Sequence, residues 1–294
     1  MKKLFASAFA LMSFGFAYSQ VNIDVSSQMG NLNEAYVNQT GLLNMNFLTQ
    51  DGNRNDATVD QSGILNINTA LSQGNRNNID VDQVGILNVN STEQYGNRNT
   101  ASTDQFGLFN QVEQIQTGNR NEASAVQVGG LNEGYQYQTG RRNIASTFQV
   151  GIGNVSVQEQ IGNRNEASVI QLGNTNNALQ EQWGNRNEAL SLQVGMDNTT
   201  WQTQDGNRNS ATHVQFGTNN YADSWQVGND NTNLGIQIGD DNRLFQYQTG
   251  DGNTAIDFQI GNDNYTAVNQ MGDGHMHLGT QMGNSNILVV NQNN

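Results

Sequence analysis

The sequence predicts an all-β fold, a two-sided parallel β-solenoid of about twelve 22-residue coils, uncapped and cross-β-like, and three observations carry that prediction. Glutamine recurs at every eleventh position from Gln28 to Gln292; Ser72 is the one exception in twenty-five places, with Gln73 beside it. Two residues after each comb position stands a glycine, from Gly30 to Gly283, in all twenty-four units. Five residues after it stands an asparagine, from Asn33 to Asn286, broken only by His275. A fixed short period of this kind means one small structural unit copied along the chain.

Each unit justifies one strand and one corner. The seven residues from the asparagine to the next glutamine alternate: Asn165, Ala167, Val169 and Gln171 face one way, Glu166, Ser168 and Ile170 the other. A four-residue turn with an obligatory glycine follows, as at Gly30, Gly52, Gly162, Gly184 and Gly283. The glycine implies a backbone angle that a side chain would forbid. Alternate units differ, so the true period is 22: one type reads Gly162-Asn163-Arg164-Asn165-Glu166-Ala167, the other Gly63-Ile64-Leu65-Asn66.

An antiparallel meander would set these unlike units side by side. Winding the chain instead stacks residue i over i+22, amide over amide and alanine over alanine. With about 4.8 Å per coil, the rod would be about 58 Å long. Its interior is expected to hold amide ladders, carried by Gln28, Asn33, Gln39, Asn44, Gln160, Asn165, Gln171, Asn176, Gln281, Asn286 and Gln292. In such a ladder each carboxamide donates to the one above and accepts from the one below, as in cross-β assemblies.

Composition agrees. Only 35% of residues are hydrophobic and 13% charged, which excludes a large oily core, and there is no proline to interrupt a backbone ladder. Cysteine is absent, so no disulfide framework contributes. Residues 1 to 19 form a separate segment: Lys2 and Lys3, an apolar run from Leu4 to Phe16, then Ala17-Tyr18-Ser19. This pattern is that of a secretory signal peptide, leaving 20–294 as the repeat region. Losing two lysines takes the net charge from −14 to −16, which disfavours nucleic acid as a partner.

Several columns stand out along the rod. Eight arginines recur every 22 residues: Arg54, Arg76, Arg98, Arg120, Arg142, Arg164, Arg186 and Arg208. Stacked about 4.8 Å apart they repel by roughly 0.9 kcal/mol per pair even in water. Asp56, Glu122, Glu166 and Glu188 are placed to offset this, giving a neutralised solvated face, or else the column is a cationic strip for a polyanionic matrix polysaccharide or cell-surface sugar. The other corner carries Leu43, Leu65, Leu87, Phe109 and Leu131, which pack locally or grip a neighbouring surface. Later corners turn acidic at Asp230, Asp241 and Asp263, candidate gatekeepers against premature aggregation. Asx-glycine corners such as Asp51-Gly52-Asn53 lack a repeated calcium motif, so turn chemistry explains them and no cofactor is expected.

The unit Q-x-G-x-x-N-x-A-x-x-x-Q, intact in Gln160 to Gln171 and Gln182 to Gln193, resembles the curlin repeat of curli fibre subunits over about residues 22 to 294. That resemblance implies a non-enzymatic, secreted subunit of an extracellular functional amyloid on the cell surface, serving biofilm matrix and adhesion. Its implied partners are further copies of itself, a nucleator subunit and an outer-membrane export pore. Two departures are the arginines where the family often has a second glycine, such as Arg164, and the absence of a Gln/Gly-rich leader. From the residues themselves, strand patterns running from Asn22 and through Gln292 predict open ends, and open ends stack head to tail. Rival readings are a minor nucleating or adhesin subunit and an ice-binding solenoid. For the last, the row Thr58, Asp80, Ser102, Ser124, Ser146, Ser168, Leu190 and Thr212 is too mixed a threonine face. No local break in the repeat gathers acid, base and ligand groups as an enzyme site would.

Overall fold

The computed structural model describes residues 21–293; the predicted signal peptide lies outside them. Twenty-five strands, β1 to β25 in chain order, make up the described residues. Odd-numbered strands form a 13-stranded sheet and even-numbered strands a 12-stranded sheet, each in strict sequence order. All pairings are parallel with a register of 22: Gln149 lies on Gln171 and Gly151 on Gly173, for example. The chain therefore winds as a two-sided β-solenoid of about twelve turns.

Strands are two residues longer than the sequence pattern suggests, starting one residue later and ending three later. β14 spans Glu166–Asn174, nine residues, so it passes through its glycine and leaves a two-residue corner instead of four. The physical reason is that the glycine still pairs in the ladder, Gly151 with Gly173, while its φ has swung to +130°. The left-handed corner residue comes two positions later. Leu, Arg, Phe, Thr, Asn, Asp and Ser occupy these positions with φ between 53° and 60°. The corner is thus a Gly–x–(left-handed residue) device, and the glycine alone does not set it.

The last five strands, from β21 (Arg243–Thr249) to β25 (Ile287–Asn293), shorten to seven residues. Where they shorten, Asp251, Asn262, Asp273 and Asn284 follow the glycine. Their side-chain oxygens accept the backbone N–H of Asn229, Asp240, Asp251 and Asn262 one coil back, at 2.8 to 3.0 Å. Short Asx side chains compete in this way with backbone pairing.

Burial alternates along the strands inside the rod, and β14 buries Ala167, Val169 and Gln171 between the sheets. The one apolar core cluster among the described residues sits near the N-terminal end: Leu48, Ala57, Val59, Ala70, Ile79 and Val81. Beyond it buried Val112, Val169, Leu244 and Val268 are interspersed among small and amide-bearing side chains, and side-chain hydrogen bonds carry more of the interior.

Candidate functional site

The glutamine comb forms two ladders, one per sheet. Gln160 Nε2 donates to Gln182 Oε1 at 2.8 Å and to the Ile144 carbonyl at 2.9 Å. Gln171 repeats the scheme with Gln193 and Val155. Both amide protons are therefore used, one along the rod and one across the corner. Gln28 and Gln39 open the ladders by donating to Gln50 and Gln61, and Gln281 and Gln292 close them by accepting from Gln259 and Gln270. The ladder breaks once, at Ser72, whose hydroxyl is buried without a partner, as is Gln94 Oε1 one coil on.

The asparagines work differently from the expected amide-on-amide stack. Asn165 Nδ2 donates to the Gly184 carbonyl at 3.0 Å, and its Oδ1 accepts the backbone N–H of Asn187. Asn33 holds Gly52 and Asn55 in the same way. Only at the alternate corner does an amide also reach its neighbour: Asn176 Nδ2 bonds Asn154 Oδ1, as Asn66 Nδ2 bonds Asn44 and Asn286 Nδ2 bonds Asn264. The asparagine column is thus a clamp on the corner carbonyls. Those carbonyls explain the glycines, because a Cβ on Gly162 would sit 1.8 Å from the Gly184 oxygen. Gly30, Gly52 and Gly184 meet the same obstruction at 1.8 to 1.9 Å; Gly283, in the last corner, meets only Asn286 Nδ2 at 3.7 Å.

A third ladder escaped the sequence reading. Gln114, Gln136, Gln158, Gln180 and Gln202 stack inside the odd-numbered sheet, at 2.8 to 3.0 Å per step. Its signal was present as a Gln-x-Gln doublet recurring every 22 residues. Further on, His213 Nε2 lies 3.4 Å from Gln246 Oε1, Gln246 donates to Asp257 at 2.8 Å, and Asp257 meets His277 at 2.9 Å. Burial drives the His213 pKa down to about 4, against an upward pull from Gln246. His275, in an asparagine position, bonds the Met271 carbonyl four residues back, as the asparagines do.

Outside, every arginine of the predicted column is exposed, at left-handed φ of 57° to 60°. The expected pairing with Asp56, Glu122, Glu166 and Glu188 does not occur: among the described arginines only Arg208 forms an ion pair, with Asp230 at 2.5 Å. Those acids open the following strands, whose outward positions turn them away from the corner. Asp230, Asp241 and Asp263 themselves hold left-handed corners; Asp241 accepts a bond from Asn219. The opposite corner exposes Leu43, Phe109 and Leu131, flanked by exposed Leu42, Ile64, Leu108 and Ile152. An aromatic row crosses the odd-numbered sheet, with Trp201–Tyr221, Tyr221–Phe245 and Phe245–Tyr265 centroids 5.4 to 5.7 Å apart.

Among the described residues nothing covers the strands at either end. β1 (Ile23–Asn31) and β25 are exposed or half-exposed throughout. The two ends are complementary. Gln281 and Gln292 each spend one amide proton on a carbonyl, Tyr265 and Met276, and direct the other outward, whereas Gln28 and Gln39 leave Oε1 without a donor. One end of the ladder donates and the other accepts. Fold and ladders together define the class: a parallel two-sheet β-solenoid with an amide interior. Compared with known proteins, the sequence matches no family model and no curated sequence.

Proposed function

We propose that this chain is a secreted structural subunit of a curli-like extracellular amyloid fibre, assembling head to tail and serving biofilm matrix and adhesion. The observation that carries the reading is the polarity of the amide ladders. A donor end at Gln281 and Gln292 fits an acceptor end at Gln28 and Gln39, so a second copy continues both ladders with the spacing already used inside the chain. Such a heterologous contact does not close and yields a filament. The curlin-type unit and the signal-peptide pattern of residues 1 to 19 support the same reading. The exposed leucine corner offers a surface for lateral bundling.

Assembly of the chain from Gln20 to Asn294, followed by amyloid dye, electron microscopy and fibre diffraction, tests it. The expected result is a sigmoidal rise, unbranched filaments, and reflections near about 4.8 and about 10 Å. Gln281→Glu with Gln292→Glu replaces both terminal donors by carboxylates facing acceptor oxygens, and elongation should slow sharply while the monomer keeps its β spectrum. Purified wild-type chain that stays monomeric for days at high concentration would overturn the proposal.

A further inference from the structure

Nine of the ten arginines in residues 20–294 lie along one edge of an acidic rod: the column from Arg54 to Arg208, and Arg141 beside it. Arg243, on the face of β21, is the exception. The fold does not demand them there. In the same corner column Asp230, Gly252 and Gly274 serve equally, and these residue types accept a left-handed backbone more readily than arginine. Mutual repulsion at one-coil spacing is a further cost. A side chain repeated at a position that disfavours it, and left unpaired from Arg54 to Arg186, is there for what its head group meets.

Beside the arginines runs a second, exposed ladder. Asn53 donates to Asn75 and Asn75 to Asn97 at 2.9 Å, and Asn163 to Asn185 to Asn207 at 2.8 Å. The two columns bound shallow grooves along the rod axis, of about 580 Å³ around Arg54 to Arg98 and about 490 Å³ around Arg142 to Arg208. Each rung therefore offers one guanidinium, which grips a carboxylate in bidentate fashion, and one amide, which can serve a hydroxyl.

We infer that this groove binds a linear carboxylated polysaccharide, one uronate unit per coil, lying parallel to the rod axis. A pyranose ring, from one glycosidic oxygen to the next, spans a distance close to the coil rise of about 4.8 Å. Successive rings turn relative to one another about the chain axis, so a carboxylate faces the arginines at intervals while ring hydroxyls between meet the asparagines. Duplex DNA spaces its phosphates at about 3.4 Å per strand and falls out of register within a few rungs. Single strands are held by aromatic stacking platforms, and the residues lining both grooves are asparagines and arginines, with Leu32 at one end. The site lies within one chain, so this inference goes beyond the fibre reading and stands or falls separately from it.

The test is fluorescence binding of labelled oligogalacturonates of increasing length to freshly purified, unassembled chain at low salt. Affinity should rise with length and level off near seven sugars, matching the seven unpaired column arginines from Arg54 to Arg186. Dextran of equal length should not bind. The variant Arg98→Asn, Arg120→Asn, Arg164→Asn, Arg186→Asn should lose about tenfold or more in affinity, since every removed rung subtracts from a multivalent contact. Asparagine suits the left-handed corner, so the variant's urea midpoint should hold or rise, which separates lost binding from lost fold. Unchanged affinity in the variant, or tighter binding of oligothymidylate than of galacturonate of equal charge, would overturn the inference. Dye-monitored assembly of the same variant should proceed as in wild type; if it does not assemble, the fibre reading is affected while the binding result still decides this one.

Discussion

Ser72→Gln should stabilise the protein, although it buries a larger polar side chain. At present Gln50 Nε2 reaches only the Glu34 carbonyl, the Ser72 hydroxyl is orphaned, and Gln94 Oε1 has no donor. By the rule of every other rung, a glutamine at 72 donates to the carbonyl of residue 56 and to Gln94 Oε1, and accepts from Gln50. Three buried hydrogen bonds contribute about 1 kcal/mol each, and ordering the new side chain costs about 1.5–2 kcal/mol. Relief of the stranded Gln94 oxygen adds a further contribution of about 1 kcal/mol. The net expectation is a gain of about 2 kcal/mol.

Urea unfolding of freshly purified monomer measures it, as a rise in midpoint with the slope unchanged. Ser72→Leu is the control, because it fills the slot and leaves the same polar atoms unpaired. It should be less stable than Ser72→Gln by at least about 2 kcal/mol. If leucine equals glutamine, space filling and not the amide ladder holds the coils, and the account of the interior fails. A Ser72→Gln chain no more stable than wild type would count equally against it.

Two glycines should respond unequally to alanine. At Gly162, φ is +129° and the new Cβ meets the Gly184 oxygen at 1.8 Å, so coils must part: a loss of about 3–5 kcal/mol is expected from strain plus broken corner bonds. At Gly252, φ is +69° with nothing within 4 Å, so the loss should be about 1 kcal/mol; equal urea midpoints would refute the distinction. His213, with a folded pKa near 4 against an ordinary 6.5, binds its proton more tightly when unfolded. Its contribution is complete above pH 6.5 and is lost as pH falls toward 4, in total about 3 kcal/mol. Burial and mutual repulsion raise the carboxyl pKa values of Asp80, Asp82 and Asp104, and these act with the opposite sign. The comparison is therefore wild type against His213→Gln, whose stability should fall less over that range; parallel curves would exclude the role. Asp230→Asn, Asp241→Asn and Asp263→Asn together keep left-handed corners while removing three charges, and the dye-assay lag should shorten. An unchanged or longer lag removes the gatekeeper role.

The coil was legible because strand and corner share one short period, so facing, stacking and register all follow from position in the unit. Gln160 and Gln171 could be placed inside from alternation alone, and the structure puts them there. Corner conformation was not legible, for a physical reason. Glycine advertises an unusual backbone angle, but Leu65 and Arg164 are residues that ordinarily avoid φ near +58°, so nothing in their chemistry announces it. The ion pairs expected at Arg164 and Arg186 failed because proximity along the chain is not proximity in space at a corner. Glu166 and Glu188 already belong to the outer face of the next sheet. The His213–Gln246–Asp257–His277 chain joins residues up to 33 positions apart across both sheets, which requires knowing which layers face each other.

Corner chemistry and interior chemistry both change along the rod. In the N-terminal part Leu43, Arg54, Leu65, Arg76 and Leu87 hold left-handed corners at about 1–2 kcal/mol apiece. The same coils contain Leu48, Val59, Ile79 and Val81, whose burial contributes about 1.5–3 kcal/mol apiece and offsets that strain. Toward the C-terminal end Gln246, Asp257 and Thr266, which return less on burial, share the interior with Leu244 and Val268. There the corners relax to Asn219, Asp230, Asp241 and Gly252, residue types that need no such compensation. Leu43, Leu65 and Leu87 thus sit on coils with an apolar interior, whereas the arginine corners continue past it to Arg208 over the Gln114 to Gln202 ladder, so the cationic and apolar edges overlap only in the first half of the rod, at opposite corners.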